Sequence, residues 1–161
     1  MAVDIFAKLG DIKGESTDAK HKDEIEVLSF SWGVGNSAPA GGGSAGGGVA
    51  GKTSFQDLVI VHTIDRASPK LMEACATGKH MKDAIITQRK AGKGQQDYLI
   101  VKMSDVLVTN VSLVSGVAQP PAETVSLTFA KIHYEYRPIK ADGSPDAAII
   151  FKYDITTGKS G

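Results

Sequence analysis

Residues 123–137 read ETVSLTFAKIHYEYR. Val125, Leu127 and Phe129 fall on one side of a two-residue repeat, and Ala130, Ile132, Tyr134 and Tyr136 fall on the other. That period is the spacing of a β-strand, and the β-branched and aromatic content suits a pleated, half-buried surface. The stretch predicts the longest strand of the chain, Glu123 to Arg137. The same period recurs in both directions. Val3 to Leu9 is a short first strand, followed by a polar, turn-rich link from Gly10 to Asp23. In Leu28 to Val34, Leu28, Phe30, Trp32 and Val34 point one way, while Ser29, Ser31 and Gly33 make a small polar face. Phe55 to Asp65 has apolar groups on both sides. Further strands are expected at Ala84–Ala91, closed by the turn Gly92-Lys93-Gly94, and at Tyr98–Met103, Val106–Val114 and Ala147–Ile155. Gly116–Ala122, with two prolines, reads as a loop, and Ala141–Asp146 as a turn.

One helix interrupts the strands. Ser68 is a suitable N-cap, Pro69 a suitable first-turn residue and Gly78 a suitable C-cap. Leu71, Met72, Cys75 and Ala76 recur at three-to-four spacing, with Lys79 and His80 at the negative end of the dipole. About eight strands and one short flanking helix give a mainly β fold: an antiparallel two-sheet β-barrel or sandwich. At 161 residues the chain fits a single domain, 1–161.

A glycine-rich run lies between two strong strand signals. Seven of the fourteen residues from Ala38 to Gly51 are glycine. Gly46 to Thr53 matches G-x-x-x-x-G-K-[ST], the signature of a phosphate-cradling loop. Gly41, Gly43 and Gly46 also match a dinucleotide pattern, and Gly42, Ser44 and Gly46 a nucleophile elbow. A phosphate loop needs a buried strand before it and a helix after it, whose N-terminus faces the phosphates. Here small residues precede, and Ser54 to Val61, a β-rich stretch, follows. Low complexity explains all three matches, and the segment reads as a linker or extended loop.

The chain carries 18 basic and 18 acidic residues, which gives no electrostatic reason to expect nucleic acid or an anionic membrane. No apolar run reaches the length of a membrane span, and the N-terminus lacks the pattern of a secretory signal. Synthesis in the cytoplasm is expected. Cys75 is the single cysteine, so no intrachain disulfide forms. His21, His62, His80 and His133 lack metal-ligand spacing, and the two on strands, His62 and His133, read as packed on one side or at the surface. Asp23, Glu24 and Glu26 read as a solvated strand entry. No catalytic residue, metal or cofactor is expected; such a protein works through its surfaces.

Several stretches resemble the Hcp family, the haemolysin-coregulated tube proteins of bacterial type VI secretion. They are MAVDIFAKLGDIKGES, VLSFSWGV, IDRASPKLMEACATGKH, KDAIITQRKAG, YLIVKMSDVLVTNVS and TVSLTFAKIHYEYRPIKADGS, in order along nearly the whole chain. The glycine run corresponds to the family's long loop between its second and third strands, and no appended effector domain is expected. The resemblance implies homohexameric rings that stack into a tube inside a contractile sheath. It implies a VgrG-type spike at the tip, baseplate partners, small effectors held in the lumen, and export without a signal peptide. It implies neither nucleic-acid binding nor membrane insertion.

On this reading the ring-stacking loop spans about 38–53: Ala38, Gly41, Gly43, Ser44, Gly46, Gly48, Gly51, Lys52 and Thr53. Ordering such a segment costs about 1–2 kcal/mol per residue, and more for glycine, so ring–ring association is expected to be weak. The small face Ser29, Ser31 and Gly33 is the candidate lumen lining and effector-binding wall. The alternatives are a β-barrel small-molecule binding protein, which needs an apolar cavity, and a nucleotide binder using Lys52.

Overall fold

The computed structural model describes residues 2–37, 52–92 and 94–161. Eleven strands and one helix occur among them. In chain order they are β1 Val3–Leu9, β2 Ile25–Glu26, β3 Ser29–Ser31, β4 Val34–Asn36, β5 Thr53–Phe55 and β6 Leu58–Thr63, then α1 Ser68–Thr77. After the helix come β7 His80–Lys90, β8 Asp97–Gly116, β9 Gln119–Tyr136, β10 Ile149–Asp154 and β11 Lys159–Ser160. All pairings are antiparallel.

One path runs β11-β10-β9-β8-β7-β1-β2, while β6 joins β9 and carries β3. The path ends on β2 and β11 without closing, so the expected barrel-or-sandwich resolves as a sandwich. Two sheets share the long β8–β9 hairpin. The first is β3-β6-β9-β8, using the β9 segment from Ala122 to Leu127. The second is β2-β1-β7-β8-β9-β10-β11, in which β10 pairs Lys131 to Tyr136 of β9.

The parity change in ETVSLTFAKIHYEYR is the corner between the sheets. Val125, Leu127 and Phe129 are buried, then Ile132, while Ala130 and Lys131 are not. Beside them Met103 and Val106 are buried around Ser104 and Asp105, and Met81 and Ala84 around Lys82 and Asp83. Asp105 turns its strand with a φ of 53°. Ile132 and Tyr134 therefore join the same core as Leu127, not an opposite face. That core (Leu9, Ile25, Leu58, Ile60, Ile86, Val101, Leu127) contributes about 1.5–3 kcal/mol per fully buried aliphatic side chain.

β1 keeps its expected bounds. The expected strand 28–34 divides at Trp32 and Gly33 into β3 and β4. Trp32 turns inward to meet Tyr134 edge-on, with ring centroids 5.5 Å apart. The two strands expected at 98–103 and 106–114 are one, β8. The loop expected at 116–122 is the tip of the β8–β9 hairpin, with Gly116 paired to Gln119. Pro120 and Pro121 are tolerated near the start of β9, where a missing N–H costs little, and the Pro121 carbonyl accepts the Ile64 N–H at 3.1 Å. β7 begins four residues before expectation, at His80, and the short β2 and β11 had no periodic signal.

The helix starts differently as well. Ala67 is the N-cap, and Ser68 lies inside the first turn, where its Oγ accepts the Asp65 N–H at 3.1 Å. Leu71 and Ala74 are buried, whereas Met72 and Ala76 face outward. Gly78 ends the helix as expected, at φ 67°; its N–H and that of Lys79 bond to the Cys75 and Ala74 carbonyls.

Candidate assembly surfaces

Cross-strand pairing aligns two rows on the outer side of the first sheet. One is Ser31, Val59, Ser126 and Asn110; the other is Ser29, Val61, Thr124 and Ser112. Directly paired residues share a face, so Ser29 and Ser31 belong to an uncharged surface of small side chains four strands wide. Ser29 and Ser31 are exposed and Gly33 is half-buried. The Gly33 carbonyl accepts the Gln56 N–H at 2.9 Å, and a Cβ there would come within 3.2 Å of Gln56 Oε1. Gly33 therefore borders the rows beyond the end of β3 rather than lying within them.

The ionisable pair within the paired strands of this sheet is turned inward, while Asp57, just before β6, accepts from Thr109 Oγ1 at 2.7 Å at its border. His62 and Glu123, directly paired across β6 and β9, are 0% and 1% exposed, with Nε2 and Oε1 2.9 Å apart. Asp65 Oδ1 stands 3.9 Å from His62 Nδ1. The sequence reading placed His62 in one-sided packing or at the surface; it is a fully buried member of a polar pair. Glu24 also departs from expectation. It is half-buried against His21, Oε2 to Nδ1 at 3.0 Å, and burial raises its pKa.

The outer side of the second sheet is covered at one end by the segment 13–24. Phe6 stacks on His21 with centroids 4.4 Å apart, and the Arg89 guanidinium lies 4.8 Å from the Phe6 centroid. Arg89, 3% exposed, donates to both Asp18 oxygens and to Asp4 Oδ2. The Arg89 hydrogen bonds hold the Asp18 carboxyl well below the usual carboxylate range.

Among the described residues, two edges of the first sheet have no strand beside them. β3 pairs only with β6, and β8 loses its β7 partner after Leu107. The hairpin runs on past its own core, leaving Leu113 54%, Val114 66% and Val117 fully exposed. Ile149 and Ile150 on β10 are also exposed.

Of the residues expected in a stacking loop, Ala38, Gly41, Gly43, Ser44, Gly46, Gly48 and Gly51 lie outside the described residues. Lys52 and Thr53 are described. The Lys52 N–H donates to Ser37 Oγ at 3.0 Å, its carbonyl accepts the Ser37 N–H at 3.1 Å, and Thr53 opens β5, which pairs with β4. A strand thus follows GKT where a phosphate loop requires a helix. The clefts described among these residues open to the surface, unlike the enclosed apolar cavity that a small-molecule barrel needs.

Comparison with known proteins places the chain in a family. The sequence model described as "Type VI secretion system effector, Hcp" matches residues 6–136. The chain belongs to the Hcp family. It is 48% identical over 148 residues to Protein hcp1 of Pseudomonas aeruginosa, covering 91% of this chain and 90% of that one. A structure titled as a type six secretion system protein superposes with a TM-score of 0.92 at 29% identity, covering 99% of this chain and all of the other. Hcp1 of Salmonella typhimurium gives 0.80 at 37% identity, with both chains covered completely. This Hcp chain is thus a type VI secretion tube/effector protein, from a family that implies self-assembly and partners within that system. No helix among its described residues is long and apolar enough to cross a membrane.

Proposed function

We propose that this Hcp chain is a structural tube subunit. Six copies close a ring, rings stack inside a contractile sheath, and the uncharged face of the first sheet lines the lumen in which small effector proteins are carried. The observation that carries this reading is the pair of unpartnered edges on that sheet, β3 on one side and β8 beyond Leu107 on the other. Open edges invite uncontrolled pairing unless something covers them. Two edges of different sequence fit a head-to-tail contact, which closes by rotation into a ring. Leu113 and Val114, exposed in a single copy, then become buried at the seam.

The segment at about 38–53, carried on the β4–β5 arm, makes the contact between rings. A spike of the VgrG type, sheath and baseplate proteins and effectors are the other partners, and the chain leaves the cytoplasm through the system itself, without a signal peptide. Its role is mechanical and carrying, not catalytic.

Native mass spectrometry at low micromolar concentration tests this. The expected result is a six-subunit ion, shifting to monomer in Leu113→Asp with an unchanged circular dichroism spectrum. A monomeric wild type, or a Leu113→Asp hexamer as robust as wild type, contradicts the seam. Long tubes forming spontaneously at that concentration contradict weak stacking.

A further inference from the structure

On the tube reading, on which this inference rests, the outer face of the second sheet carries a pattern that neither the lumen nor the seam uses. Lys8, Ile85, Lys102, His133 and Lys152 align in one row across β1, β7, β8, β9 and β10. Ser104, Lys131, Asp154 and Lys159 align in the next. Strands lie about 4.8 Å apart, so Lys102 and Lys152 stand about 10 Å apart with His133 between them, and the row from Lys8 to Lys152 spans about 19 Å. Ile85 and His133 separate the lysines, so no two of them are directly paired.

The nearby carboxylates engage His133 and Lys131 rather than the other lysines, and Asp83 closes the second row beside Ser104. Glu135 Oε2 meets His133 Nε2 at 3.0 Å, and its other oxygen accepts from Arg137. Asp154 accepts from Thr156 Oγ1 at 2.6 Å and reaches Lys131 at 3.8 Å. Among the described residues, none of Lys8, Lys102, Lys152 and Lys159 has a carboxylate within 4.0 Å. Lys102, Lys131, Lys152 and Lys159 border an open groove of about 450 Å³. Ile150, half exposed, continues the same face two residues from Lys152.

We propose that this face docks an acidic surface of another protein. The repeat of about 10 Å between unpaired cations matches carboxylates two turns apart on a helix, about 10.5 Å at 1.5 Å per residue. An apolar side chain beside the cations suits a protein interface, with Ile150 as its dry contact and the lysines as its charged rim. Nucleic acid is a poorer fit, because phosphate binding rests on a run of cations, whereas this patch is interrupted by Asp83 and Asp154 on a chain of balanced charge. Electrostatic complementarity of this kind sets the association rate and the choice of partner more than raw affinity.

The test uses the full chain and a fluorescein-labelled helical peptide with glutamates one and two turns apart on one face, read by anisotropy at low and at physiological salt. Wild type is expected to bind it, more weakly as salt rises. Lys102→Glu/Lys152→Glu is expected to lose at least tenfold in affinity, while Lys102→Arg/Lys152→Arg and the far-side pair Arg66→Glu/Lys70→Glu keep it. Absence of binding, an equal loss in the far-side pair, or binding of short duplex DNA as tight as that of the peptide overturns the proposal. The oligomeric state of each sample is read separately, so a failed ring and a failed docking face are told apart.

Discussion

The two outer faces of this sandwich handle charge in opposite ways. On the first sheet, the rows through Ser29 and Ser31 hold only serine, valine, threonine and asparagine, and the sheet's ionisable pair, His62 and Glu123, faces the interior. On the second, the interior side is apolar through Val101, Met103 and Ile132, and the charges stand outside. At one end they lie under the segment 13–24; at the other they are open as the lysine row. Burying a pair such as His62–Glu123 brings a desolvation penalty that an exposed pair avoids. The contrast teaches that the two uncharged rows are kept so by placing an ionisable pair in the core.

The strongest way to break the comparison is to remove the buried partner. Glu123→Ala strands His62 without its 2.9 Å contact and should cost about 3–5 kcal/mol. Glu123→Gln, which keeps a hydrogen bond, should cost less, and urea denaturation separates the two. If Glu123→Ala is neutral, the inward charge is not a structural commitment.

A smaller effect is expected under the covering segment of the second sheet. The Asp18 carboxyl is held low in the folded state by Arg89, so its contribution is present above the unfolded carboxylate value of about 3.9 and is lost as pH falls through the folded value. Glu24 runs the other way. Burial raises its pKa, so the folded state takes up that proton first and stability gains as pH falls through the raised value. Comparing wild type with Asp18→Asn cancels the Glu24 contribution. The wild-type advantage in Tm at neutral pH should shrink below about pH 4; an advantage independent of pH would mean that the carboxylate is not what pins the segment.

The smallest effect on stability belongs to the uncharged face. Ser31→Gln is exposed and should change stability by no more than about 0.5 kcal/mol, leave the ring intact and reduce retention of a confirmed effector. Unchanged retention would remove Ser31 from the cargo wall.

Much of the fold was legible because strands declare themselves by a local period. β1, the end of the helix at Gly78 and the long strand β9 follow from neighbouring residues alone. The corner was visible as the parity change near Ala130, but its meaning was not. Periodicity gives a side, and only the turn at Asp105, with the matching change in burial at Lys82 and Asp83, makes both sides of ETVSLTFAKIHYEYR one core. Ser29 and Ser31 were found because they alternate within one strand. The lysine row was missed because its members are scattered over 145 positions, from Lys8 to Lys152, and meet only through register. His62 was misread for the same reason: its partner Glu123 is 61 residues away.

The central claim is that the serine face turns toward the ring axis and the lysine face away from it. In a regular six-membered ring the distance between neighbouring copies of a site equals that site's radius. Spin labels at Ser31→Cys and, separately, at Lys152→Cys, both in a Cys75→Ser background, measure that distance by double electron–electron resonance. The account predicts a shorter nearest-neighbour distance for the Ser31 label than for the Lys152 label. Equal distances, the reverse order, or no defined distance at either site would contradict it.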